Sequence, residues 1–378
     1  MILAIHQLER RRPLSKRDID AFLAQHQWPL VEGLHATFVW RGEADAVHLR
    51  HWVFGLASEQ PFKRIADTDL WYLVLDLPKR SRMEYKFDVV RGGKNAWVRD
   101  PLNTRLAHDP FGANSVCHGE GYHVPDWCEP DPDAREGQLV DVVLPRTPFG
   151  GSRTMTIYLP ARYRKTRRYP LLVVHDGGDY LRFANLKTVL DNLIHRLEVA
   201  PLIVALTHPK NRMVEYPNQA QHADFIVNHV LPFMEKRFPV YGRPDQRCLM
   251  GASFGGVASL SVAWRHPGVF GKLLLQSGSF AFTDIGDSKR GPAFDRVVEF
   301  VNDFRENPGR PADKVYLSCG TYESLIYENR SMVPFLQSNG LEVRYDEARD
   351  GHNWENWRDR LQTGLSWLFP GPLWMVYE

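Results

Sequence analysis

Over the first third of the chain, apolar and polar residues alternate in short runs. A helical stretch from Lys16 to Gln25 comes first, then Ala36-Thr-Phe-Val-Trp40 alternates, Gly42 turns the chain, and Ala46-Val-His-Leu-Arg50 follows. Leu70 to Leu75 and Met83 to Val90 read as further strands, the latter stopped by Gly92-Gly93. A period of two puts successive side chains on opposite faces, so these runs read as half-buried strands. Short strands at regular spacing with turns between them predict a small β-sandwich. The chain then becomes Pro- and acid-rich at Pro125-Asp-Trp-Cys-Glu-Pro-Asp-Pro132, a linker by composition. This predicts two domains, 1–130 and 131–378.

Past the linker the pattern changes to alternating strand and helix. Arg153 to Leu159 reads as a strand, and Pro170-Leu-Leu-Val-Val174 is a continuous apolar run, the mark of a strand buried on both faces. Helical spacing from Leu186 to Glu198 precedes the strand Leu202 to Leu206. The helix Ala223 to Phe238 leads to the strand Arg247 to Met250, and a helix follows from Phe254 to Trp264. Lys272 to Gln276, Lys314 to Ser318 and Leu341 to Tyr345 read as later strands, with a closing helix from Trp354 to Phe369. Repeated strand–helix units predict an α/β domain with a mainly parallel, doubly wound sheet.

Composition narrows the function classes. Among 378 residues, 43% are hydrophobic and 24% charged, the profile of an ordinary globular protein. A formal net charge of +2 is too mild to imply a nucleic-acid partner. The basic clusters Arg10-Arg11-Arg12 and Arg162 to Arg168 read as solvated surface. No stretch reaches the roughly 18 apolar residues of a membrane span, and the opening Met1-Ile-Leu-Ala-Ile-His turns charged at Glu9, so the expected compartment is the cytoplasm. The four cysteines, Cys117, Cys128, Cys248 and Cys319, suit reduced thiols better than a disulfide framework, although Cys117 and Cys128 are close enough in sequence to pair. No Cys/His spacing resembles a metal site.

The chemistry concentrates in Gly251-Ala252-Ser253-Phe254-Gly255. A serine hydroxyl becomes a useful nucleophile only when a base takes its proton and the backbone presents it to a substrate. Flanking glycines permit a tight turn from strand to helix that presents the serine, beside helix amides able to face an oxyanion. The base follows in chain order, where the histidines are His266 and His352. His266 precedes Pro267 at a helix end and reads as a cap. His352, in the loop Asp350-Gly-His-Asn-Trp354 after a strand, is the expected base. The acid is expected at Glu323, with Glu328, Asp346 and Asp350 as competitors and an acid-free dyad as a further alternative. The second oxyanion amide, besides that of Phe254, is expected from Gly178 or Gly177 in His175-Asp-Gly-Gly178.

With these residues in place, the chain resembles the esterase D family, and within it the enterochelin (ferric enterobactin) esterase branch. Arg153 to Pro160 with Tyr163 is similar to the family's opening strand, and His175-Asp-Gly-Gly178 to its oxyanion loop. Arg212 with Glu215 matches its R-x-x-E, Gly251 to Gly256 its nucleophile turn, and Gly351-His-Asn-Trp354 with Trp357-Arg358 its histidine loop. Phe38-Val-Trp40, Trp71, Tyr85-Lys-Phe87 and Asp100-Pro-Leu-Asn103 resemble the immunoglobulin-like module placed ahead of such esterases. Glu323 falls where related feruloyl esterases carry aspartate, a departure that leaves the acid open.

The resemblance implies an α/β-hydrolase domain preceded by an immunoglobulin-like β-sandwich. It implies hydrolysis of lactone esters in a catecholate siderophore, with no cofactor and with iron arriving as part of the substrate. A pocket for that anionic, aromatic ligand would draw on Arg212, Glu215, Tyr180, Trp354 and Trp357. Two readings compete: an esterase for acetyl, feruloyl or other small acyl groups, and a non-catalytic glycan-binding protein.

Overall fold

A computed structural model of the chain describes residues 2–11, 13–282 and 291–372. Met1 and Arg12, which belong to the opening stretch and the basic cluster considered above, lie outside them. The chain divides into two compact units. The first comprises 1–124 together with two short segments from far along the chain, 320–324 and 348–353; the second comprises 125–319, 325–347 and 354–378.

The first unit begins with a helix not foreseen from the sequence, Ala4–Arg10, whose Ile5 and Leu8 are buried. The helix Lys16–Ala24 follows, capped by Ser15, which exchanges hydrogen bonds with Asp18 and so satisfies two end amides. Ten strands come next: β1 (Leu30–Glu32), β2 (His35–Arg41), β3 (Ala46–His51), β4 (Glu59–Pro61), β5 (Lys63–Arg64), β6 (Leu70–Asp76), β7 (Arg82–Arg91), β8 (Lys94–Val98), β9 (Leu106–Asp109) and β10 (Gly112–His118). They form a four-stranded sheet in the order β1-β2-β6-β5 and a six-stranded one in the order β4-β3-β7-β10-β9, with β8 also on β7. Phe38 and Trp71 from one sheet share a core with Val47, Leu49, Tyr85 and Phe87 from the other, so the two sheets make a sandwich.

The second unit is built on one sheet of eight strands: β11 (Gln138–Leu144), β12 (Arg153–Leu159), β13 (Leu171–Val174), β14 (Ile203–Thr207), β15 (Arg247–Ala252), β16 (Lys272–Gln276), β17 (Lys314–Gly320) and β18 (Glu342–Ala348). Their order is β11-β12-β14-β13-β15-β16-β17-β18. The run from β14 to β17 is parallel, while β11 and β12 are antiparallel additions at one edge. Leu171 and Val173 of β13 face one core, Leu172 and Val174 the other, which explains the unbroken apolar run.

Several element boundaries differ from expectation. Pro292–Glu306 and Ile326–Ser338 are helices, and Gln138–Leu144 is a strand, none of them anticipated. The closing helix is two, Trp354–Asp359 and Leu361–Leu368, which part at Arg360. All four cysteines are buried, and none is part of a disulfide. Among the described residues no helix is long and apolar enough to cross a membrane.

Candidate active site

The sheet topology itself creates a crevice. From β13 the chain moves to β14 on one side, then crosses back to β15 on the other, so the segments leaving β13 and β15 part at a switch point, where open α/β sheets bind ligands. Ser253 leaves β15 there with φ 57° and ψ −121°, a conformation costly for a side chain with a Cβ. It is held by a hydrogen bond from its amide to the Gln276 carbonyl at 2.9 Å. Of the glycines around it, Gly251 is sterically required and Gly255 has little room to spare. A Cβ on Gly251 would run into the Gly255 carbonyl, and one on Gly255 would sit 3.3 Å from an Asp176 carboxylate oxygen. The 12-residue helix Phe254–Arg265 starts directly after, and the first amides of a helix have no acceptor within it. Ser253 Oγ lies 3.3 Å from Ser279 Oγ.

The segment leaving β13 packs beside this turn. The His175 amide donates to the Met250 carbonyl, and a helix, Gly177–Phe183, begins where the sequence suggested only a loop. Gly177 must lack a side chain, because a Cβ there would meet Leu206 Cβ at 2.5 Å. The Gly178 amide donates to His208 Nδ1 at 3.2 Å, so this expected oxyanion donor is already engaged. Arg212 pairs with the buried Asp176 at 2.9 Å, and its guanidinium lies 5.8 Å from the Phe254 ring centre. The Arg212 side chain is 34% exposed, which leaves it a face for a ligand.

Within the first unit, His352 Nδ1 and Glu323 Oε2 are 2.7 Å apart. Glu323 is 2% exposed, and its other oxygen accepts the Gly320 amide at 2.7 Å. A carboxylate on Nδ1 fixes the imidazole as the Nδ1–H tautomer and leaves Nε2 as the basic nitrogen. Two of the competing acids are engaged elsewhere: Asp346 accepts from the Tyr316 hydroxyl, and Asp350 from Arg82 and the Gly351 amide.

The expected pocket residues need correction. Tyr180 is fully buried and donates to Gln276 Oε1, so it presents no surface to a ligand. Trp354 packs edge-on against both Tyr180 and Trp357, while Trp357 donates from its indole to Ser277 Oγ. These rings build the core behind the switch point. Glu215 forms a buried two-pronged ion pair with Arg153 and accepts the Lys210 and Asn211 amides, a structural anchor for the segment carrying Arg212. Of the five, Arg212 alone retains a partly exposed charged end. The sequence reading missed Arg82 and Asn353, which bracket the base loop, because no local pattern links positions 271 apart.

A cation site is a poorer fit. His48, Glu59 and Asp88 bring three ligand atoms within 4.8 Å of one another, but Arg50 already contacts Glu59 at 2.7 Å and Asp88 at 3.0 Å. The guanidinium supplies the positive charge that an ion would bring.

The Esterase family model, described as "Putative esterase", matches residues 147–368. The iron(III) enterobactin esterase of Escherichia coli O6:H1 is 25% identical over 378 aligned positions, covering 88% of this chain and 91% of its own. An acetyl esterase of Caldicellulosiruptor saccharolyticus is 22% identical over 38% of this chain and 62% of its own. Among solved structures, the enterobactin esterase of Shigella flexneri in the presence of enterobactin superimposes with a TM-score of 0.74 at 20% identity, over 95% of this chain and 99% of that one. A family model that takes in more than half of the residues, from before β12 to the last helix, makes this chain a member of that esterase family and carboxylic-ester hydrolysis its class of reaction.

Proposed function

We propose that the chain is a serine esterase that opens the lactone esters of a ferric catecholate siderophore through an acyl-enzyme. Ser253 Oγ attacks the ester carbonyl and gives its proton to His352 Nε2, while Glu323 steadies the resulting imidazolium through Nδ1. The Phe254 amide holds the tetrahedral oxyanion, joined by that of Gly178 on release from His208, or by that of Gly177 in its place. Collapse of the intermediate expels the alcohol with the proton from His352, and water then cleaves the acyl-enzyme with the same base. Iron enters and leaves with the substrate.

The observation that carries the substrate class is the length of the match. The enterobactin esterase aligns over 88% of the chain, whereas the acetyl esterase aligns over 38%. The cationic end of Arg212 beside the Phe254 ring also suits an anionic, aromatic ligand. We further propose an immunoglobulin-like module over residues 1–130, a catalytic domain over 131–378, and work in the cytoplasm, where buried cysteines outside any disulfide are at home.

The test is a paired assay on ferric enterobactin and 4-nitrophenyl acetate, with fluorophosphonate labelling of the protein and of Ser253→Ala. Labelling of the wild type alone, with the higher kcat/KM on the siderophore, is the expected result. Rapid acetate release without siderophore cleavage would transfer the chain to the small-acyl esterases. An unlabelled wild type would leave only the non-catalytic binding reading.

A further inference from the structure

We infer that Arg82, on the β-sandwich, is a positioning residue for the base: it holds the loop that carries His352 in its working shape. The inference rests on the reading of His352 as general base. Arg82 opens β7 and is 2% exposed, unusual burial for a guanidinium. One of its nitrogens donates to Asp350 Oδ1 at 3.2 Å and to Asn353 Oδ1 at 3.0 Å; the other donates to Glu84 Oε1 at 3.0 Å. Its backbone amide donates to the Arg349 carbonyl at 2.9 Å. Asp350 Oδ1 gathers the loop further, accepting the Gly351 amide at 2.7 Å and Asn353 Nδ2 at 2.8 Å. Both neighbours of His352, Gly351 and Asn353, are therefore tied to one carboxylate oxygen that Arg82 neutralises.

The acid loop is tethered to the same unit. The Tyr322 amide donates to the Asp350 carbonyl at 3.1 Å, the Thr321 amide to the Ala348 carbonyl at 2.7 Å, and the Phe54 amide to the Tyr322 carbonyl at 2.8 Å. Arg349 reaches back to the Lys79 carbonyl at 2.7 Å. Burial pushes the Asp350 carboxyl up to about 6, and Arg82 is the charge that works against that rise. A buried ion pair of this kind adds little net stability, because desolvation offsets much of the attraction, yet it discriminates sharply between loop conformations. Orientation of an acid–base group is where such discrimination matters, since a displacement of about 1 Å can cost about 100-fold in rate.

Four proteins decide the matter: wild type, Arg82→Met, Arg82→Lys and His352→Ala, assayed for kcat and KM on one ester and for urea midpoint. The expected result is that Arg82→Met loses about 10- to 100-fold in kcat with KM within about threefold, and that Arg82→Lys recovers part of the loss. Wild-type kcat in Arg82→Met beside an inactive His352→Ala would overturn the inference while leaving the base in place. A fully active His352→Ala would remove the base reading and this inference with it. Equal losses in Arg82→Met and Arg82→Lys that track a lowered urea midpoint would make Arg82 merely structural, and would also overturn it.

Discussion

At the scale of single residues, the division of labour follows from what each atom touches. Glu323 spends one oxygen on the Gly320 amide and the other on His352 Nδ1, so its position is fixed from both sides. Its removal should leave the imidazole present but poorly oriented, whereas removal of His352 abolishes the base. Known triads show the scale of that difference, with loss of the acid costing about 10⁴-fold and loss of the base about 10⁶-fold. Glu323→Ala is therefore expected to retain clearly more kcat than His352→Ala, both measured on 4-nitrophenyl acetate. A Glu323→Ala variant within tenfold of wild type would move the acid role elsewhere. The residue types alone could nominate Ser253 and His352, because chain order and the glycine turn constrain them. They could not separate Glu323 from Asp346 or Asp350, since only the contacts with Tyr316 and Arg82 occupy the latter two.

At the scale of elements, the turn from β15 into the helix Phe254–Arg265 is the part on which the nucleophile depends. Gly251→Ala would press a methyl group into the Gly255 backbone, which cannot swing aside as a flexible side chain could. We expect a loss of about 2–3 kcal/mol in unfolding free energy and a much slower fluorophosphonate reaction. Gly242→Ala is the control, because a Cβ there meets nothing nearer than an Arg247 nitrogen at 4.0 Å. Equal behaviour of the two variants would refute the steric account of the turn. Elements of this kind are legible in a sequence when burial is lopsided or complete, as in the apolar run of β13. The helix Pro292–Glu306 was not anticipated, although Val297, Phe300, Val301 and Phe304 are buried at helical spacing behind a proline suited to a first turn. By contrast, Ile326–Ser338 carries Pro334 inside the helix, a local signal against the structure that tertiary packing overrides. Aromatic rings such as Tyr180 and Trp357 mislead for a related reason: the same ring suits a pocket wall or a core.

At the scale of the whole molecule, composition marked a linker near residue 130 but gave no sign that 320–324 and 348–353 fold with the first unit. Their hydrogen bonds to Phe54, Lys79 and Arg82 join positions about 270 apart, beyond any periodicity. Each unit holds one buried group whose response to acid is opposite in sense to that of the other. In the second, His175 is fully buried, with Nε2 2.9 Å from His222 Nε2 and Nδ1 2.9 Å from Ser259 Oγ, and burial lowers its pKa from 6.5 to about 4. A histidine kept neutral by the fold supplies stability that is present above pH 6.5 and is lost as pH falls below it. In the first, Asp100 accepts from the Tyr85 hydroxyl and the Leu102 amide, and burial raises its pKa from 3.8 to about 6. A carboxyl kept protonated by the fold supplies stability that is present below pH 3.8 and is lost as pH rises through 6. Each neutral substitute should therefore change the slope of stability against pH, in opposite senses. Relative to wild type, Asp100→Asn should gain about 2 kcal/mol in unfolding free energy between pH 4.5 and pH 7, whatever its offset at either end. His175→Gln should instead gain about 2 kcal/mol on going from pH 7 to pH 4.5. Urea unfolding of the three proteins at those two pH values measures both differences. Curves that stay parallel to wild type would mean that neither group is held neutral by its surroundings.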